Sequence, residues 1–171
     1  NGTTYTAWDV SSVANMDGMF LNTTAFNQDI GAWDVSNVTT MRYMFYYATA
    51  FNQDIGTKGV TVNGTTYTAW DVSSVTNMSS MFQSTTAFNQ NIGAWNVSSV
   101  TDMISMFSRA TAFNKNILYW HPPTNAAMVN MFLYANAMSY RFSDTPNWSI
   151  SPNYSVGWIF DKEFTISGVS L

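Results

Sequence analysis

The chain has 171 residues, 46% of them hydrophobic and 16% aromatic, which is enough apolar material to bury a sizeable core. Six basic and ten acidic side chains leave a net charge of −4, so no basic stripe is available to neutralise a run of phosphates, and nucleic acid is excluded as a partner. No apolar run approaches a membrane span, no charged and apolar leader is present, and the absence of cysteine excludes disulfides, thiolate metal sites and cysteine nucleophiles.

In chain order, the first landmark is NGTTYTAWDVSSV at residues 1–13, which returns at 63–75. Between and beyond the copies runs a shorter beat. Trp8, Trp33, Trp70, Trp95 and Trp120 each open a unit of the form W-[DN]-V-S-x-V-x-x-M-x-x-M-F-x-x-x-T-A-F-N-x-[DN]-I-x-x, which is 25 residues long. Ten of the eleven methionines fall in its Met-x-x-Met-Phe motif, so the repeat is genuine and governs the fold.

Within the second unit, Ile30-Gly31-Ala32-Trp33-Asp34-Val35 alternates apolar and polar residues and predicts a short half-buried strand. From Val38 the period changes: Val38, Met41, Met44, Phe45 and Ala48 recur as one face of a short helix, with Ser36 placed as its N-cap. Phe51 and Ile55 lead back to the next strand. The expected fold class is therefore an α/β repeat, one strand and one helix per unit.

The spacing from Trp33 to Trp70 is 37, one unit plus the 12 residues 57–68. That insert carries Asn63-Gly64 between two β-prone triplets, the pattern of a two-residue hairpin turn, and predicts a projecting β-hairpin. Asn1-Gly2 then reads as the turn of an earlier identical hairpin. Together with the missing initiator Met, this gives the expectation that the chain is the C-terminal part of a longer array.

A third and a fourth unit follow the insert. The fifth keeps Met128, Met131 and Phe132 but has His121-Pro122-Pro123 where Asp-Val-Ser stood, and proline cannot donate to a central ladder. Residues 1–136 are thus read as a five-unit repeat domain and 137–171 as a degenerate last unit with a C-terminal cap. Each unit carries about eight inward apolar side chains at about 2 kcal/mol apiece, too little to offset ordering entropy alone, so neighbours must stack. At about 4.8 Å per rung, five units make a rod roughly 24 Å long.

The phrases AFNQDIGAWDVSNVTTMRYMF (25–45) and WDVSSVTNMSSMF (70–82) resemble the atypical leucine-rich repeats of BspA-like surface proteins, a family also seen in mycoplasma lipoproteins and in microbial and algal proteins. The resemblance covers roughly residues 8–135. It implies a right-handed solenoid like that of leucine-rich repeats, display at the cell surface or secretion, and adhesion or matrix binding. It supplies no shared catalytic residues to carry over.

Several polar columns fall in phase. Asn27, Asn52, Asn89 and Asn114 are read as an asparagine ladder closing backbone turns, rather than as ligands for a glycan or cation. Asp9, Asp34, Asp71 and Asn96 should form an outward row on the strand, a solvated face available to a partner; like charges so close would repel, and no Gly-punctuated acidic loop accompanies them. The single histidine, His121, has no serine or carboxylate placed to serve it. Asn22, Asn37, Asn63, Asn77, Asn96, Asn147 and Asn153 lie in N-x-[ST] sequons, as does Asn1; Asn37 and Asn63 are expected to be the most accessible for glycans.

No P-loop, dinucleotide fingerprint, converging carboxylate pair or metal-ligand spacing is present, so neither an enzyme nor a cofactor or metal is expected. The leading expectation is a non-catalytic extracellular or cell-surface protein, structural, adhesive or matrix-binding, whose partner is a protein, a glycan or copies of itself. The alternative is an ice- or polysaccharide-binding repeat, motivated by the column Thr24, Thr49, Thr86 and Thr111. A third, a hydrolase hidden in 137–171, has only unassigned sequence in its favour.

Overall fold

A computed structural model describes residues 8–62 and 64–138. The hairpin remnant expected at residue 1, the sequons at Asn63, Asn147 and Asn153, and nearly all of the expected cap lie outside the described residues.

The strand-and-helix unit is not formed. Among the described residues the regular strands are two, β1 (Lys58–Val62) and β2 (Thr65–Ala69), and helical geometry is confined to 136–138. The expected α/β solenoid of strand-plus-helix coils is therefore overturned, and with it the leucine-rich-repeat architecture. Most of the chain is a succession of turns.

The residues expected to be helical show how. Over 41–48 the N–H groups of Met44, Tyr46 and Ala48 donate three residues back, to Met41, Tyr43 and Phe45. The N–H groups between them go elsewhere: Met41, Tyr43, Phe45 and Tyr47 donate to Asn77, Ser79, Met81 and Gln83 of the next unit. Tyr43 and Tyr47 take φ of 58° and 57°, as the third residue of a type II turn must, and a left-handed residue every fourth position forbids an α-helix. The same two positions are left-handed in every unit, as Gly18 and Asn22, Ser80 and Ser84, Ser105 and Arg109, and Asn130 and Tyr134.

The expected strand at 30–35 is instead a turn closed by Trp33 N–H to Ile30 C=O, with a second beginning at Val35 and closed by Val38 N–H to Val35 C=O. Trp33 and Val35 do point inward, because the Asx turns at Asp29 and Asp34 reverse the chain twice without changing which side chains face the core.

The units stack in register. Parallel bridges run Asn15–Thr40–Asn77–Asp102–Ala127, and four N–H groups per junction repeat the pattern just described. Their interior is a set of columns. Phe20, Phe45, Phe82, Phe107 and Phe132 stack at 5.5 Å between successive ring centroids, and Phe26, Phe51, Phe88 and Phe113 at 5.8–5.9 Å. Met41, Met44, Met78, Met81, Met103 and Met106 are fully buried beside them. Such offset aromatic stacking adds about 0.5–1.5 kcal/mol per pair to area burial.

The 37-residue step is absorbed by the hairpin. Val62 pairs with Thr65, leaving a two-residue loop in which Gly64 has φ of +82°. Tyr67 donates its hydroxyl to Ala32 C=O, and Val60 and Tyr67 rest on the core, so the hairpin is anchored on one face. At the corner after Ile30, Ile55 and Ile92 a glycine lets successive units approach: a Cβ on Gly31, Gly56 or Gly93 would lie 2.6, 2.9 or 2.5 Å from the carbonyl oxygen of Asp54, Asn91 or Asn116 in the next unit.

Candidate functional site

Repeated polar residues serve the stack. Asn27, Asn52 and Asn89 each accept, through Oδ1, the backbone N–H of the equivalent asparagine one unit on: Asn52 at 2.9 Å, Asn89 at 2.9 Å and Asn114 at 3.1 Å. An oxygen fixed against the next rung satisfies a donor that turn geometry leaves unpaired. Asp9, Asp34, Asp71 and Asn96 each accept the N–H of the serine two residues on, closing an Asx turn. The Ser11 hydroxyl and N–H hold the Asp9 carboxyl below the usual carboxylate range. Asp54 is lowered too, first by the Lys58 ammonium that donates to it at 2.8 Å, then by the Gly56 N–H.

The described sequons differ in their commitments. Asn37 donates its amide to Ser11 C=O, and Asn77 bonds both Ser79 and Asp102. Asn22 and Asn96 are exposed, Asn22 in a left-handed turn position and Asn96 with its oxygen held by Ser98. His121 is exposed, its Nδ1 2.7 Å from Tyr119 C=O, apart from any carboxylate pair. Among the described residues no group of three His, Cys, Asp or Glu side chains gathers, and no helix is long and apolar enough to cross a membrane.

A concavity lies where sequence reasoning named only one wall. A groove of about 480 Å³ runs across the second to fifth units. One wall is Thr49, Thr86, Thr111 and Asn136, the continuation of the threonine column; the other is Tyr47, Ser84, Arg109 and Tyr134. The second wall is the later of the two left-handed turn positions described above, at which Tyr47, Arg109 and Tyr134 are exposed. Tyr47 and Tyr134 are 42% and 61% exposed, while Ser84 between them is small and buried, so two aromatic flanks bound a hollow. Tyr46 tilts against Tyr47 at 5.2 Å, and the Arg109 guanidinium lies over the Tyr134 ring at 5.4 Å. The available signal was the reverse of repetition: the position two after the Met-Phe pair holds Asn, Tyr, Ser, Arg and Tyr, one of several variable positions set among the constant Trp, Met and Phe landmarks.

Stacked turn-built units with a variable outer column define a repeat scaffold. A family model described as "Mycoplasma protein of unknown function, DUF285" matches residues 2–66 and 57–167, and the chain belongs to that family. Neither the curated proteins nor the solved structures give a match.

Proposed function

We propose that this chain is a non-catalytic binding scaffold displayed at a cell surface or secreted, acting in adhesion or matrix binding in the manner of the BspA-like proteins its repeats resemble. Family membership is compatible with this reading. The observation that carries it is a division of labour: repeated Asn and Asp side chains are committed to backbone N–H groups of the stack, whereas the outer wall changes from unit to unit, with Tyr47, Arg109 and Tyr134 exposed and Ser84 buried. Constant positions hold the array and variable ones meet a partner. The test is a bead assay: beads carrying the full chain should adhere to immobilised matrix glycans or matrix proteins above albumin-coated beads, and equal retention on every surface would refute the reading.

A second reading, ice binding by the threonine column, draws on Thr49 and Thr86, whose hydroxyls both donate to the preceding unit's carbonyl and so hold a fixed orientation. Thermal hysteresis of the purified chain tests it.

A further inference from the structure

We propose that the groove between the threonine and tyrosine walls binds an acidic polysaccharide, its sugar rings on the tyrosines and a carboxylate or sulfate group on Arg109. This rests on the reading of the chain as a surface binding scaffold and names the chemistry of its ligand.

Three independent features converge on that class. The first is the state of the hydroxyls. Thr49 Oγ1 donates to Thr24 C=O at 3.2 Å and Thr86 Oγ1 to Thr49 C=O at 3.4 Å, so their protons are turned into the stack. What they offer the groove is acceptor lone pairs on two successive rungs, matched to a ligand that presents more than one hydroxyl donor. A polyol chain has that property.

The second feature is the aromatic flanks. Tyr47 and Tyr134 belong to the second and fifth units, roughly 14 Å apart at about 4.8 Å per rung, and the buried Ser84 leaves the space between them open. An extended chain of several sugar rings spans that distance and can lie against Tyr47 at one end and the Arg109–Tyr134 pair at the other. A single small metabolite cannot.

The third feature is charge. Arg109 is the charged residue among those lining the groove, and no carboxylate among the described residues pairs with it. By contrast Arg42 and Lys58 are both paired, with Asp17 and Asp54. The guanidinium is held instead over Tyr134, which fixes its plane without neutralising it and leaves its donors for an anion. In a chain of net charge −4, a cation with no carboxylate partner among the described residues selects an acidic over a neutral saccharide.

The experiment is calorimetric titration of the full chain with hexagalacturonate and with neutral maltohexaose at low salt. Hexagalacturonate should bind about tenfold more tightly than maltohexaose, the size expected of one hydrogen-bonded charge. The preference should vanish in Arg109→Gln and at high ionic strength, while Thr86→Val should weaken both sugars. Thermal melts establish that each variant is folded, and the salt series on the unaltered chain supplies the charge test without any substitution. Absence of hexagalacturonate binding, or a preference that persists in folded Arg109→Gln or in high salt, overturns the assignment. If the beads still adhere to matrix surfaces when hexagalacturonate does not bind, the groove assignment fails while the scaffold reading stands.

Discussion

The two sides of the stack respond differently to the same interruption. On the phenylalanine side both columns pass through the hairpin junction unchanged, Phe45 meeting Phe82 at 5.5 Å and Phe51 meeting Phe88 at 5.9 Å. On the tryptophan side the stacks are Trp8–Trp33 at 6.3 Å and then Trp70–Trp95 and Trp95–Trp120 at 6.1 and 6.2 Å, separated at the insert. There Trp70 adopts φ of 51°, and Trp33 and Trp70 are linked through their backbone. An insertion at a corner can therefore be absorbed by one side while the other keeps the register. The difference lies in what each side depends on: the phenylalanines follow sixteen axial N–H bonds laid along the turns, whereas Trp70, Trp95 and Trp120 are positioned by an indole N–H reaching back to Ile30, Ile55 and Ile92.

The largest expected effect breaks the continuous side. Phe82 contacts Phe45, Phe88 and Phe107, and Phe82→Ala should cost about 4 kcal/mol from lost burial and an unfilled cavity, read as a fall in the urea midpoint. On the tryptophan side, Gly93→Ala places a methyl 2.5 Å from the Asn116 carbonyl oxygen, a backbone atom that cannot swing aside; a loss of about 2 kcal/mol in the same measurement is expected. The smallest effect has the opposite sign. Ser105 is left-handed at φ 55° where the first unit has Gly18, and Ser105→Gly should stabilise by about 0.5 kcal/mol, relief of strain exceeding the entropy gained by the unfolded chain. A destabilised Ser105→Gly would show that its hydroxyl supports the phenylalanine side.

How much could be read from the residues follows from the same geometry. The period, the asparagine column and the inward Trp, Met, Phe and Val positions of the inner units were legible, because burial depends on which positions recur and on having a neighbour on each side; in the first unit Trp8 and Met19 are exposed. The path of the backbone was not. Tandem turns with bonds three residues back place Met41, Met44, Phe45 and Ala48 on one side just as a helix does, so their spacing could not separate the two. A glycine at each left-handed position would have broken the tie, yet Tyr43, Tyr47, Ser84 and Arg109 stand there, overruled by the axial bonds of their neighbours. The tyrosine and arginine wall of the groove was hidden for the same reason, since a side chain's outward throw depends on that φ.

The alternation of bonds has a mechanical meaning. Tension along the stack bears on the four turn N–H bonds at each junction together with return bonds such as Thr39 N–H to Ala14 C=O and Ala50 N–H to Thr24 C=O, so a junction resists as a set and then yields as a set. Peeling one 25-residue turn away pays out roughly 85 Å of tether at about 3.4 Å per residue. Under shear, the molecule would lengthen in discrete steps, keeping the remaining rungs and their exposed groove in register while it dissipates the load.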